Sequence, residues 1–260
     1  MRGGGVGGPR VTAPAGGTAW LRRVPAPGAR IRLVCLPHAG GAAGFFHEWA
    51  ARTPPEIEVV PVQYPGRQDR LHDPLPATMD ELADAVTRAV LHELPDDLPL
   101  ALFGHSMGSS VAYEVARRLE NAPGRAPARL FVSGRTRPRL RAERAPRPAP
   151  TDQQILDHVR LLDPAGAAVY EHPDLREMIM PALRADFGLL AAYRPARLHR
   201  LGIPVTACGG DRDPVCAVED LKAWADVTTG ELEIRAFEGG HFYLTPRREE
   251  VLALVADRLV

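Results

Sequence analysis

Leu100-Ala101-Leu102-Phe103-Gly104-His105-Ser106-Met107-Gly108 is the stretch on which the fold turns. It starts as a short apolar run and ends in G-x-S-x-G, and behind it Met107, Val111, Val115 and Leu119 recur at helical spacing. A strand that turns so abruptly into a helix holds the intervening serine at positive φ, with its hydroxyl above the sheet. Glycines two residues before and after remove the side chains that would collide in such a turn. With 24 Gly and 4 Ser in 260 residues, chance supplies about 0.03 matches to the pattern. Ser106 is therefore the expected nucleophile, presented above an α/β sheet.

Outward from this turn, short apolar runs alternate with helical patterns. The runs are Ile31–Leu36, Val59–Val62, Leu130–Ser133, Val205–Cys208 and Leu232–Phe237. Such alternation is the mark of a mostly parallel, doubly wound α/β sheet with helices on both faces. Thr78-Met79-Asp80-Glu81 reads as a capping box opening a crossover helix through Leu82, Val86, Val90 and Leu94. Thr245-Pro246 is expected to open a last helix that ends near Leu259. Between Arg135 and Arg200 no strand candidate occurs. An Arg- and Pro-rich linker, a capping box at Thr151 to Gln154 and helical stripes over Leu156–Leu162 and Leu175–Leu190 read instead as an inserted helical lid, about 136–199. The enclosing domain is expected to run over 19–260. The first 28 residues hold eight Gly and four Pro without periodicity, so 1–18 are expected to be a disordered tail. Gly3, Gly5 and Gly8 spell G-x-G-x-x-G there, but no strand precedes them and no dinucleotide site is implied.

Composition narrows the function classes. Lys plus Arg and Asp plus Glu are both 32, so no net field draws in nucleic acid or an anionic membrane. Hydrophobic residues at 45% and charged residues at 25% exclude a disordered or fibrous chain. No run approaches the ~20 apolar residues of a membrane span, and no apolar segment follows the basic start, which points to the cytoplasm. Cys35, Cys208 and Cys216 lack the spacing of a zinc knuckle or a redox pair and read as free thiols. No metal-ligand spacing occurs, and neither metal nor cofactor is expected. Arg135, Arg137, Arg139, Arg141, Arg144 and Arg147 face the single carboxylate Glu143, a solvated linker before it is a dock for an acidic partner.

A serine hydroxyl needs an adjacent base, itself oriented by an acid. On such a sheet the chain order is serine, acid, histidine. His241, in Glu238-Gly239-Gly240-His241-Phe242 after the last strand, is the expected base. The acid comes from Gly210-Asp211-Arg212-Asp213-Pro214. Asp213 is preferred because Pro214 holds the turn behind it, whereas Asp211 suits the turn itself. The oxyanion needs two backbone N–H donors: that of Met107, after the nucleophile, and one from the loop Leu36-Pro37-His38-Ala39-Gly40-Gly41, for which Ala39 is the candidate. A Gly-rich turn without that role is the alternative reading of the loop.

Pro37-His38-Ala39-Gly40-Gly41, Tyr64-Pro65-Gly66-Arg67, Gly104-His105-Ser106-Met107-Gly108, Gly210-Asp211-Arg212-Asp213 and Gly239-Gly240-His241-Phe242 together resemble the type II thioesterases, α/β-hydrolases that accompany polyketide and nonribosomal peptide synthases. The resemblance runs from about Trp20 to the C terminus. It implies Ser106, Asp213 and His241 as the triad, the amides of Ala39 and Met107 as the oxyanion hole, and an editing activity. The implied substrate is an acyl group on the phosphopantetheine arm of an acyl carrier protein. Two features depart from the pattern: the tail before Trp20 has no counterpart, and Tyr243 stands where relatives have a second phenylalanine. Both bear on acyl preference, neither on the triad. A carboxylesterase acting on oxygen esters is the alternative enzyme, and a non-catalytic binding protein with the same fold is the alternative of another class.

Overall fold

The structure is a computed structural model and describes residues 20–143, 145 and 147–260. Strands β1 (Ile31–Leu36), β2 (Ile57–Pro61), β3 (Leu100–His105), β4 (Leu130–Ser133), β5 (Val205–Gly210) and β6 (Leu232–Phe237) form one parallel sheet in the order β2-β1-β3-β4-β5-β6. The chain steps from β1 out to β2, then crosses back to lay β3 on the other side of β1. That reversal opens a crevice beyond the carboxyl ends of β1 and β3, the usual place for a ligand in such sheets. The expected fold class and all six strands are found, β1, β4 and β6 with the expected ends and β2, β3 and β5 with shifted ones. β3 and β5 run on through glycine because their backbones keep pairing, Gly104 with Val132, His105 with Ser133 and Gly210 with Phe237. β2 begins at Ile57, and Val62 instead makes a single antiparallel bridge to Leu21.

Both faces are buried, which is why the central strands read as unbroken apolar runs. Val34, Leu36, Leu100 and Leu102 join a cluster with α2 (Met79–Glu93) and α3 (Met107–Glu120). Leu33, Cys35, Ala101 and Phe103 join the opposite one with α1 (His47–Arg52) and α6 (Arg248–Leu259). The box at Thr78 is half made: its Oγ1 accepts from the Glu81 N–H at 3.1 Å, but the Glu81 carboxylate reaches past it to the Ala77 N–H at 2.7 Å. α6 starts at Arg248 and not at Thr245-Pro246, because the Thr245 and Arg247 N–H groups are held in turns by Phe242 and Tyr243.

Between β4 and β5 the described residues hold helices and no sheet strand. α4 (Asp152–Leu162) opens on the complete Thr151/Gln154 capping box, and α5 (Pro173–Ala192) follows a 3-10 segment at Gly166–Glu171. Ile155 and Leu156 of α4 pack with Met180 and Leu183 of α5 in a small cluster of their own, while Leu189 roots the end of α5 in the α2/α3 cluster. No described helix is long and apolar enough to cross a membrane. The expected disordered tail lies outside the described residues.

Candidate active site

Ser106 ends β3 and caps α3 at φ 54°, ψ −116°. The local cause is steric. A Cβ on Gly104 would sit 2.2 Å from the Gly108 carbonyl oxygen, and one on Gly108 would sit 2.0 Å from the Leu36 carbonyl oxygen. The elbow is thus wedged against the end of β1 with no room for a methyl group. Gly108→Ala is expected to cost more than about 4 kcal/mol or to leave the chain insoluble, since backbone cannot yield as a side chain does. Gly124→Ala, at φ 70° with nothing within 4 Å of its Cβ, should cost only about 1 kcal/mol. Denaturant unfolding of the two variants measures the difference.

His241 and Asp213 are both buried, and His241 Nδ1 lies 2.7 Å from Asp213 Oδ2. The other carboxylate oxygen accepts the N–H groups of Val215 at 2.9 Å and Cys216 at 3.3 Å. Asp211 is exposed and does something else: its Oδ1 accepts the Gly239 N–H at 2.8 Å and so pins the loop that carries His241. Gly210 lets that loop approach, since a Cβ there would meet the Gly240 carbonyl oxygen at 2.2 Å. His241 Nε2 has no protein partner, and no hydrogen bond joins it to Ser106 Oγ in this rotamer. Contacts of this kind often tighten only when substrate arrives. Among the described residues no acceptor takes the N–H of Ala39 or of Met107. Both amides thus keep their donor capacity, and of the two residues Ala39 lines the cavity.

Two further imidazoles pack around His241. Burial pushes His38 down to about 3 and His105 well below its ordinary value, with the charge of His241 lowering both further. They are neutral at physiological pH. Of the three rings only His241 holds a carboxylate, so only there would a proton taken from serine be stabilised. His105 Nδ1 lies 2.9 Å from Ser133 Oγ, which in turn lies 2.7 Å from the Tyr243 hydroxyl. Tyr243 is fully buried in this chain of contacts and does not line the cavity. The tyrosine at this position therefore bears on the support of His105 and not on the cavity wall.

The cavity over the crevice measures about 380 Å³. Ser106, His241 and Phe242 line it on the sheet side, His158, Phe187 and Leu190 on the side of the insertion. Four arginines of the run line it as well, but they are not alike. Arg137 is paired with Glu143 at 2.9 Å and Asp226 at 2.8 Å, and Arg135 Nε donates to Ser110 Oγ, whereas Arg139 and Arg147 are exposed. Arg144 lies outside the described residues. Among the described residues no group of three His, Cys, Asp or Glu is placed to hold a metal ion. One buried pair went unread in the sequence: Arg67 Nη2 and Asp186 Oδ2, 2.7 Å apart. The signal for Asp186 was its place on the apolar stripe of a helix, three residues after Leu183 and four before Leu190.

A thioesterase domain model matches residues 31–259. The chain belongs to the thioesterase family. This thioesterase is 39% identical over 242 residues to Thioesterase PikA5 of Streptomyces venezuelae, covering 93% of this chain and 85% of that one. It is 40% identical over 253 residues to a probable cadicidin biosynthesis thioesterase of Streptomyces griseus, covering 96% and 69%. Among solved structures, the type II thioesterase BorB from the borrelidin biosynthetic cluster superposes with a TM-score of 0.81 at 37% identity, covering 95% of this thioesterase and all of BorB.

Proposed function

We propose that this thioesterase removes short acyl groups from the phosphopantetheine arm of acyl carrier proteins, clearing stalled or misprimed modules of a synthase. The observation that carries the reading is a His241–Asp213 pair at 2.7 Å opening on the same cavity as a serine held at φ 54°. Ser106 Oγ attacks the thioester carbonyl while His241 Nε2 takes its proton, and Asp213 holds the imidazole through Nδ1. The N–H groups of Ala39 and Met107 receive the developing oxyanion. Collapse breaks the C–S bond, the departing thiolate takes the proton from His241, and the acyl group stays on Oγ as an ester. Water, deprotonated by His241, then repeats the sequence and releases the free acid. Pairs of this kind also cleave oxygen esters. Relatives named for borrelidin and prodiginine biosynthesis support the carrier-bound substrate, and with it a cytoplasmic site of action.

The deciding measurement compares propionyl carrier protein, propionyl pantetheine and an oxygen ester of the same acyl group. Expected is a kcat/KM for the carrier thioester at least about tenfold above that of the oxygen ester. If Arg139 and Arg147 meet an acidic carrier, KM for the carrier substrate rises with salt while that for the pantetheine thioester stays flat. Fast oxygen-ester and slow thioester turnover would make it a carboxylesterase. No turnover of either, with no labelling by a fluorophosphonate, would make it a binding protein. An equal salt response in both thioesters removes the arginines from docking.

A further inference from the structure

We infer that Asp186, on the inserted helix α5, is a positioning residue for the oxyanion loop: together with Arg67 it holds the Pro37–Gly41 turn in the shape that turns the Ala39 N–H to the cavity. The inference rests on the thioesterase reading of this site and goes beyond it, because it gives the insertion and Tyr64-Pro65-Gly66-Arg67 a part in the reaction.

One carboxylate oxygen, Asp186 Oδ2, accepts both the Gly40 N–H and Arg67 Nη2, each at 2.7 Å. Gly40 directly follows Ala39. Its φ is 74°, and a Cβ there would lie 2.6 Å from Leu183 Cδ2, one turn before Asp186 on the same helix. Gly66 adopts φ 81°, and a Cβ there would lie 3.4 Å from Ala182 Cβ. Two glycine turns from different strand ends thus meet one stretch of α5, Ala182 to Asp186. From below, Gln63 ties the same two loops: its Oε1 accepts the Ala43 N–H at 2.9 Å and its Nε2 donates to the Arg67 carbonyl at 3.0 Å. The loop after β1 is therefore clamped at Gly40 by the insertion and at Ala43 by the body of the domain.

Asp186 is 2% exposed, and burial pushes its carboxyl up to about 6, opposed by the Arg67 guanidinium and the Gly40 N–H. Arg67 is buried too; its Nε and Nη1 have no hydrogen-bond partner, and its guanidinium lies over the Tyr64 ring, 5.4 Å from the centroid. A buried ion pair this poorly solvated is weak support for folding. Groups placed at such cost are found preferentially at functional sites. Here the gain is geometric: an oxyanion donor works only when aimed at the charge that develops, and a displaced one forfeits about 10²- to 10³-fold in kcat.

The test uses the full chain with Asp186→Ala and Asp186→Asn. It measures kcat and KM on propionyl pantetheine and the affinity for an alkyl boronic acid, which forms a tetrahedral adduct on Ser106 Oγ and fills the oxyanion hole. Expected for Asp186→Ala is a fall in kcat of about 10²-fold with KM within about twofold, and a parallel fall in boronate affinity. Asp186→Asn keeps an oxygen for the Gly40 N–H and should recover kcat to within about tenfold of the original. Unchanged kcat in the alanine variant, a loss confined to KM with boronate affinity intact, or an asparagine variant no better than alanine overturns the inference. Should the alanine variant fail to fold, Arg67→Gln, which removes the charge that holds the Asp186 carboxylate, takes its place: a fall in kcat of about tenfold or more with KM kept is expected, and wild-type kcat and boronate affinity in it refute the inference. An original enzyme that neither turns over the thioester nor binds the boronate refutes the reading of the site, and this inference with it.

Discussion

Ser106→Ala is expected to lower kcat for thioester hydrolysis by about 10⁶-fold, leaving only what the oxyanion donors and binding supply. Once the attacking oxygen is gone, His241 has no proton to take and the remaining groups cannot substitute, because members of a triad act as a unit. Folding should be unaffected. The strain of the elbow is set by Gly104, Gly108 and the Leu36 carbonyl, which the substitution leaves alone, and Ser106 is only partly buried. Single-turnover kinetics, fluorophosphonate labelling and thermal unfolding check the three statements together. Residual turnover above about 1% of the original in a cleanly folded variant sinks the assignment.

Asp213→Asn should cost about 10⁴-fold in kcat at full stability, and the structure says why. Asp213 Oδ1 accepts two backbone N–H groups, from Val215 and Cys216. Those donors fix the amide oxygen of asparagine at that position. Its NH₂ is then turned to His241 Nδ1, which must accept instead of donate, so the ring proton moves to Nε2 and the base faces serine already protonated. Asp211→Asn is the control. It keeps an oxygen for the Gly239 N–H and lies on the exposed side of the turn, so its kcat should stay within about tenfold. Should Asp211→Asn be the inactive variant, the acid has been assigned to the wrong aspartate.

Much of this site is written locally. Ser106, its flanking glycines and the strand and helix around them lie within one short stretch, where steric demand and periodicity both act over a few residues. His241 and Asp213 were legible because strands β5 and β6 announce themselves as apolar runs and the loops behind them come to one end of a parallel sheet. The clamp at Asp186 was not legible. Its partners Gly40 and Arg67 lie 146 and 119 residues away in the chain, and an apolar stripe reports which face is buried without reporting what covers it. The start of α6 was misplaced for a related reason. Thr245-Pro246 has the chemistry of a helix opening, but the turn that delivers His241 claims those residues first.

The insertion carries its own small apolar cluster, Ile155, Leu156, Met180 and Leu183, apart from the two clusters that sandwich the sheet. Ile155, Leu156 and Met180 stand behind the cavity wall and set how α4 and α5, which bring His158 and Phe187 to it, pack on each other, away from the strands that lead to Ser106, Asp213 and His241. Leu183 is the exception, since it lies against Gly40 and so ties the cluster to the loop after β1. For protein engineering the segment between β4 and β5 becomes an exchangeable cassette, on condition that a graft restores the small residue over Gly66, the leucine over Gly40 and the carboxylate between Gly40 and Arg67.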